Sequence, residues 1–207
     1  MADLYHDKYK VSSNRLKGWD YGSNAFYYIT ICTGNRECFF GEVKDGKMHL
    51  SETGLIAHNN WVQTANMFDF AKPDRFVVMP NHIHGIIQIE KSVTFEKLNT
   101  EKEDFYSVET RLIASLQNKN LPTNKPSSDQ NKGGITGNAN PMLHDNLARI
   151  IRWYKGRTTF DARKINHEFF WQSRYHDSII RDENSYKNIC LYIDNNPQNW
   201  NEDELYR

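Results

Sequence analysis

The chain has 207 residues with 26 basic and 26 acidic side chains, so its formal net charge is zero. This length predicts one domain with a substantial core, and the neutral balance argues against a protein that coats nucleic acid through its total charge. No apolar run is long enough to span a membrane, and three cysteines without CxxC spacing indicate a reducing, cytoplasmic location rather than a disulfide framework or a thiolate zinc site.

The N-terminal part predicts strands on either side of a tight turn, followed by a helix. Residues 26–33 are rich in β-branched and aromatic side chains and predict a strand buried on both faces. Asp45-Gly46, between two short runs, predicts a type I′ hairpin. Ser51 is the expected N-cap of a helix that continues to about Met67.

A second β region and a polar segment follow. Pro73 interrupts the chain before the β region, which covers residues 75–90 and contains a predicted turn at Pro80-Asn81. Residues 91–140 are dominated by Lys, Glu, Asn, Thr, Ser and Gln. Such a composition buries too little apolar surface to offset the entropy of ordering, so it predicts a mobile insertion within a single domain that comprises the whole chain.

The C-terminal part predicts two helices separated by a β segment. The helices cover residues 144–159 and 183–195, and the second ends where Pro197 disfavours helical geometry in its predecessor. One or two short strands are expected within residues 167–181. Strands mixed with helices and tight hairpins predict an α+β fold, in which helices pack on an antiparallel sheet.

The sharpest chemical feature is the His82-Ile83-His84 triplet in the second β region. Side chains alternate along a strand, so both histidines project from one face and form a ready pair of metal ligands. The alternative is a pair of hydrogen-bonded histidines without a ligand. The HxHxDH pattern and the HExxH helix motif are both absent. A metal site here therefore needs a third ligand from elsewhere.

The last predicted helix offers such a ligand. Tyr192 and Asn196 lie four residues apart and therefore share a helical face. The Asn196 amide oxygen suits magnesium or manganese, and Tyr192 would then stand close enough to attack a metal-bound phosphate. Helical spacing also allows an alternative in which Tyr192 packs against Ile189 and Leu191 while Asn196 caps the helix.

Four blocks carry a resemblance to a known family. The string VVMPNHIHGII resembles the motif of the HUH single-tyrosine transposases. The later strings YKGRTTF, FWQSRYHDSIIRDENS and LYIDNNPQNW resemble blocks of the REP-associated tyrosine transposases, and FGEVKDGKMHLSETG also suits that group. The blocks occur in order from about Phe26 to Trp200, interrupted by the polar insertion.

This resemblance implies a fold, a reaction and a set of site residues. The fold is a ferredoxin-like antiparallel sheet carrying the histidines, with a helix that presents the nucleophile. By position, His82 and His84 match the metal ligands, Tyr192 the nucleophile and Asn196 a further metal ligand. A magnesium or manganese ion would activate the scissile phosphate of single-stranded or hairpin DNA, and attack by the tyrosine would leave a 5′-phosphotyrosine and a free 3′-hydroxyl. Relatives occur as monomers or homodimers, and both states remain open.

Two other functions and one other nucleophile remain alternatives. The first function is a domesticated, catalytically idle protein that binds nucleic acid on the same scaffold. The second is an unrelated metal-dependent phosphohydrolase that uses the histidines without any tyrosine. Tyr175 is the second choice for the nucleophile after Tyr192.

Cationic residues after the insertion are candidates for DNA contact. Residues 141–181 carry eight Lys/Arg and four acidic residues, whereas residues 182–207 carry two basic and six acidic ones. Cations that follow a phosphate backbone, together with aromatic rings, are typical of single-strand binding. The alternative is a solvated helix face or surface ion pairs. The predicted DNA contacts are Arg149, Arg152, Lys155, Arg157 and Arg174, while Trp153 is expected in the core.

Overall fold

The computed structural model describes residues 15–91 and 144–206. Residues 15–90 and 144–206 belong to one compact unit. The predicted insertion at 91–140 lies, apart from Lys91, outside the described residues. No helix among the described residues is long and apolar enough to cross a membrane.

A four-stranded sheet, a two-stranded hairpin and three helices make up the described part of the chain. The strands are β1 (Ala25–Cys32), β2 (Gly41–Lys44), β3 (Lys47–Leu50), β4 (Ala71–Met79), β5 (His82–Ile89) and β6 (His176–Ile180). The helices are α1 (Glu52–Met67), α2 (Leu147–Ala162) and α3 (Glu183–Asn195).

The strand order of the main sheet is β4-β5-β1-β6, with every neighbouring pair antiparallel. The connection from β1 through α1 to β4 therefore encloses β5, which is the split βαβ arrangement of ferredoxin-like folds. Strands β2 and β3 form the separate hairpin. The predicted α+β class, with helices packed on a ferredoxin-like antiparallel sheet, is confirmed.

Local signals account for the hairpin and for α1. Asp45 and Gly46 have positive φ angles of 51° and 69°, which the predicted type I′ turn requires at both central positions. Ser51 accepts a hydrogen bond from the backbone N–H of Gly54 at 3.1 Å and caps α1, which ends at Met67. Both local predictions are confirmed.

Strand β4 begins earlier than predicted. It starts at Ala71 and contains Pro73, which the sequence placed before the strand. The register against β5 shifts between Pro73 and Phe76. Because β4 is an edge strand, the missing proline N–H is tolerated at an irregularity of this kind. Proline therefore marks a bulge here rather than a strand boundary.

Helix α2 also differs from its prediction. It begins at Leu147, capped by Asn146, and ends at Ala162, a shift of three residues toward the C-terminus at each end. Tyr154 is fully buried, and its hydroxyl donates to the Ala57 carbonyl at 3.0 Å. Trp153, expected in the core, is only partly buried and packs at its edge. The tyrosine thus fills the core position next to the predicted one.

One face of the sheet carries the main apolar core. The isoleucines at alternate positions of β1 and β5 are buried there against α1 and α2. Gly85 faces Trp61 of α1, and a Cβ atom at Gly85 would lie 2.4 Å from the Trp61 ring. The glycine therefore lets α1 approach the strand that carries the histidines.

The opposite face is covered by α3 over only part of its area. Ile86 and Ile180 pack against Ile193 of α3 and form a small second cluster. Toward the other end of β5, His82 and His84 project from this same face, and the cluster gives way to polar side chains. Helix α3 therefore meets the sheet beside the two histidines.

Candidate functional site

The two histidines lie side by side under α3. His82 is fully buried, His84 is 3% exposed, and their ring centroids are 4.4 Å apart. Burial lowers the pKa of both imidazoles to about 3; the charge of Arg36 adds to the effect at His82, and that of His82 adds to it at His84. Both rings are therefore neutral near pH 7, the form that ligates metal ions.

His82 presents a nitrogen without a hydrogen-bond partner. Its Nδ1 lies 2.8 Å from Oδ1 of Asn81. Its Nε2 is buried and has no hydrogen-bond partner within the described part of the chain. A buried polar atom left unpaired is costly, so this nitrogen is a candidate position for a bound ion or water.

His84 is held by hydroxyl groups on β1. In the β1–β5 register Thr30 lies directly opposite His84. The Nδ1 atom of His84 lies 2.7 Å from the Tyr28 hydroxyl and 2.9 Å from Oγ1 of Thr30. These contacts hold the ring so that Nε2 faces α3 and lies 3.2 Å from the Tyr192 hydroxyl.

Tyr192 combines an inward-pointing hydroxyl with an accessible ring. The residue is 46% exposed, and its hydroxyl contacts both Nε2 of His84 and, at 3.4 Å, Oδ2 of Asp203. Partial burial and the Asp203 carboxylate raise the pKa of Tyr192 to about 12. The phenol is therefore protonated near pH 7. Deprotonation of the hydroxyl requires a proton acceptor, and nearby positive charge would favour it.

Asn196 lies at the same site and also ends α3. It is the C-cap residue and only 2% exposed, so the cap alternative is true of its backbone. Its Nδ2 donates to Oδ2 of Asp203 at 2.9 Å, while its Oδ1 is buried without a hydrogen-bond partner within the described ranges. The Oδ1 atom of Asn196 is therefore available as an oxygen ligand for a metal ion.

Asp203 is the site residue that the sequence reasoning missed. One ligand atom each from His82, His84 and Asp203 lie within 4.8 Å of one another. The acidic composition of residues 182–207 was noted, but no spacing rule distinguishes Asp203 from Glu202 or Glu204. A 3-10 turn at Trp200–Glu202 folds this segment back over the histidines.

The donor set fits a divalent cation. Two neutral imidazoles and one carboxylate lie together, and the Asn196 amide that donates to this carboxylate adds an oxygen. Nε2 of His82 and Oδ1 of Asn196 are buried and have no hydrogen-bond partner among the described residues. Imidazole nitrogen suits transition metals, whereas carboxylate and amide oxygens suit magnesium and manganese. A mixed set of this kind favours manganese over magnesium, because magnesium prefers oxygen ligands.

An open cleft of about 740 Å³ gives access to this group. Arg36 and Arg174 line it, so two positive charges stand beside the acidic and imidazole groups. Tyr175 also lines the cleft, but its hydroxyl accepts a hydrogen bond from Arg15, and no contact joins it to the histidines within the described residues. Of these two tyrosines, Tyr192 is the one whose hydroxyl contacts a histidine of the group.

Three of the four predicted DNA-contact residues on α2 lie away from the cleft. Helix α2 packs on the apolar face of the sheet, opposite the histidines. Arg149 forms an ion pair with Asp145, and Arg157 forms one with Asp161 at 2.6 Å. Of the predicted DNA contacts, only Arg174 lines the cleft. Arg149, Arg152 and Arg157 do not line the cleft. The Lys155 ammonium donates to the carbonyl oxygens of Gln172, a cleft-lining residue, at 2.6 Å and of Ser173 at 3.3 Å, so Lys155 lies next to the cleft without lining it.

Comparisons with known proteins identify a relative and a fold. No protein-family model matches the chain. An uncharacterized protein from Haemophilus influenzae is 36% identical over 208 residues, covering 99% of this chain and 96% of that protein. A REP-associated tyrosine transposase solved with a REP hairpin has a similar structure, with a TM-score of 0.51, 14% identity and coverage of 90% of this chain and 73% of that one.

A candidate transposase from Deinococcus radiodurans is also similar in structure, with a TM-score of 0.40 and 10% identity, over 88% of this chain and 97% of that one. The first structural match confirms the ferredoxin-like fold implied by the sequence blocks. The sequence match of almost full length establishes common family membership with the Haemophilus influenzae protein.

Proposed function

The chain belongs to one family with the Haemophilus influenzae relative and has the fold of the REP-associated tyrosine transposase, and from this basis we propose that it is a metal-dependent endonuclease and strand transferase. Its substrate is single-stranded DNA beside a hairpin. One observation carries the proposal: the Tyr192 hydroxyl lies 3.2 Å from Nε2 of His84 in an open cleft, next to Nε2 of His82, which is buried without a partner in the described part of the chain.

Four side chains would hold the metal ion. They are His82, His84, Asn196 and Asp203. The first three were expected from the sequence, and Asp203 was not. When bound, a magnesium or manganese ion supplies positive charge that polarises the scissile phosphate and orients it. The protein supplies two buried imidazoles and the acidic segment around Asp203, which lies over them.

Tyr192 supplies the nucleophile. Its oxygen forms a bond to the phosphorus atom while the bond from phosphorus to the 3′ oxygen breaks, and the product is a 5′-phosphotyrosine. The phenolic proton passes to an acceptor within reach, of which Oδ2 of Asp203 is 3.4 Å away. The departing 3′ oxygen takes up a proton and becomes a hydroxyl. Attack on the phosphotyrosine by a 3′-hydroxyl reverses these steps and rejoins DNA without an external energy source.

Charges in the cleft provide the DNA contacts closest to the reaction. Arg36 and Arg174 line the cleft and would contact phosphates that flank the cleaved position. Of the α2 cations, Lys155 bonds Gln172 at the cleft. Arg149, Arg152 and Arg157 do not line the cleft, so any DNA contact they make is with a more distant part of the substrate. The hairpin bound by the similar transposase supports a structured substrate of this kind.

A covalent-adduct assay tests the proposal. Labelled single-stranded hairpins from the flanks of the gene are incubated with the protein and manganese, and products are separated on a denaturing protein gel. We expect a labelled protein band that requires the metal and is lost in Tyr192→Phe. Tyr175→Phe is the matched control, because it removes a hydroxyl from the same cleft and should leave the band unchanged.

The other outcomes identify the alternatives. DNA that is shifted but never cut, with or without Tyr192→Phe, would indicate an idle DNA-binding protein. Cleavage that survives Tyr192→Phe without an adduct would indicate hydrolysis by water, as in a phosphohydrolase. An adduct lost only in Tyr175→Phe would move the nucleophile to that residue.

A further inference from the structure

Asn81 occupies the turn between β4 and β5 and is fully buried beside the histidines. Its backbone carbonyl accepts hydrogen bonds from the N–H and the hydroxyl of Thr33, both at 2.9 Å. The backbone of the turn is thereby fixed to the segment that follows β1. The Asn81 side chain starts from a rigid position.

The orientation of the Asn81 amide follows from its partners. Its Nδ2 lies 2.8 Å from the carbonyl oxygen of Leu205 and 3.2 Å from that of Arg36. Carbonyl oxygens only accept hydrogen bonds, so the NH₂ group must point toward them. The amide oxygen Oδ1 is therefore the atom that faces Nδ1 of His82, 2.8 Å away.

This orientation determines which nitrogen of His82 carries the proton. An amide oxygen is an acceptor, so Nδ1 of His82 must be the protonated nitrogen and donate to it. The lone pair of the neutral ring is then on Nε2, the atom that is buried without a partner among the described residues. A partner at one imidazole nitrogen fixes the tautomer and the ring orientation in which the other nitrogen binds metal.

The same amide also holds the segment that contains Asp203. Leu205, which accepts from Asn81, lies two residues after Asp203, and its own N–H donates to Oδ1 of that aspartate at 2.6 Å. The Arg36 guanidinium donates to the neighbouring Glu204 carbonyl at 3.3 Å. The carboxylate is thus fixed by contacts that converge on Asn81 and Arg36.

We infer that Asn81 is a positioning residue for the metal centre, which it assembles by fixing the tautomer of His82 and anchoring the segment that carries Asp203. The inference rests on the proposed metal site and deepens it. The Asn81 amide has both functions: its Oδ1 accepts a hydrogen bond from His82, and its Nδ2 donates one to the carbonyl of Leu205.

The experiment measures the tautomer and the metal affinity without DNA. The full chain is treated with EDTA and its histidine ¹⁵N resonances are recorded near neutral pH, with the His82 signals identified as those lost in His82→Ala. Manganese affinity is then measured by calorimetry for the wild type, Asn81→Ala and Asn81→Asp. Circular dichroism verifies that each variant is folded.

We expect the wild type to carry the proton on Nδ1 of His82. Asn81→Ala removes both functions, so His82 should populate both tautomers and manganese binding should weaken about 10- to 100-fold, the range for loss of an outer hydrogen-bond partner of a metal ligand. Asn81→Asp keeps an acceptor for His82 but turns a carboxylate oxygen toward two carbonyls. It should keep the tautomer and lose affinity.

A wild type with the proton on Nε2 of His82 would overturn the inference, even if neither variant folded. An Asn81→Ala variant with unchanged tautomer and unchanged manganese affinity would overturn it as well. A wild type that binds no manganese would instead overturn the proposed metal chemistry. The two failures are therefore distinguishable.

Discussion

The two faces of the four-stranded sheet use the same strands for opposite purposes. Along β5, Ile83 and Ile87 enter the apolar core under α1 and α2, while His82 and His84 project from the opposite face, where His84 lines the cleft. The apolar face is filled by close packing, as at Gly85. Among the described residues, the polar face keeps two buried potential metal-ligand atoms without hydrogen-bond partners, Nε2 of His82 and Oδ1 of Asn196, whereas Trp61 and Asp177, which also have an unpaired buried atom, belong to the core side of the sheet.

Under the proposed function, this difference separates residues that stabilise the fold from residues that serve the reaction. Each unpaired buried polar atom costs about 1–3 kcal/mol. An apolar face gains free energy from every buried side chain, about 1.5–3 kcal/mol for a residue such as isoleucine. Substitution of Ile83 should therefore mainly lower the stability of the fold, whereas substitution of its neighbour His84 should mainly lower activity.

The largest effect is expected at His84. His84→Ala removes a metal ligand and the partner of the Tyr192 hydroxyl, so adduct formation should fall to background in the gel assay. The free energy of unfolding should fall less than for a core isoleucine, because the Tyr28 and Thr30 hydroxyls lose their partner while the desolvation cost of burying the imidazole is relieved. If His84→Ala still forms adducts, His84 is not required for the reaction.

The adjacent residue provides the contrasting change. Ile83→Ala should lower the free energy of unfolding by about 2–5 kcal/mol, measured in urea, because Ile83 is fully buried in the core. Its manganese affinity should match the wild type at temperatures where it is folded. Equal loss of stability in Ile83→Ala and His84→Ala would contradict the division between the two faces.

An intermediate effect is expected at the acidic segment. Asp203→Asn removes a charge from the ligand set and should weaken manganese binding by about 10- to 100-fold in calorimetry. Glu204→Gln is the matched control on the next residue and should leave the affinity unchanged. The opposite ranking would mean that the segment folds differently over the histidines.

A smaller effect is expected at the hydroxyls behind His84. Tyr28→Phe removes one of two partners of Nδ1 and leaves Thr30 in place, so manganese affinity should fall by less than about 10-fold. The double variant Tyr28→Phe/Thr30→Val should lose more than the sum of the single free-energy changes. Additive losses in calorimetry would show that the two hydroxyls act independently.

The smallest effect is expected for single cations. Arg174→Ala should weaken DNA binding a few-fold and reduce the salt dependence by about 0.7 in log–log slope, the contribution of one single-strand phosphate contact. Arg152→Ala, on the apolar side of the sheet, should change binding to a short cleft-spanning oligonucleotide less. Fluorescence anisotropy over a range of salt concentrations measures both.

Local patterns in the sequence predicted most of the elements and four residues of the candidate site, His82, His84, Tyr192 and Asn196. Alternation along residues 82–89 put both histidines on one face, the Asp45-Gly46 turn formed the hairpin, and Ser51 began α1. Helical spacing placed Tyr192 and Asn196 together. These predictions succeed because turn chemistry, capping and side-chain periodicity act over a few residues.

Only the tertiary structure determined which distant groups complete the site. Asp203 meets His82 across 121 positions of sequence, and Asn81 meets Leu205 across 124. No local periodicity relates such pairs, since a turn after α3 brings them together. The separation of Arg149, Arg152 and Arg157 from the cleft has the same origin: a helix sequence specifies its apolar stripe, but the topology of the sheet decides which face that stripe covers.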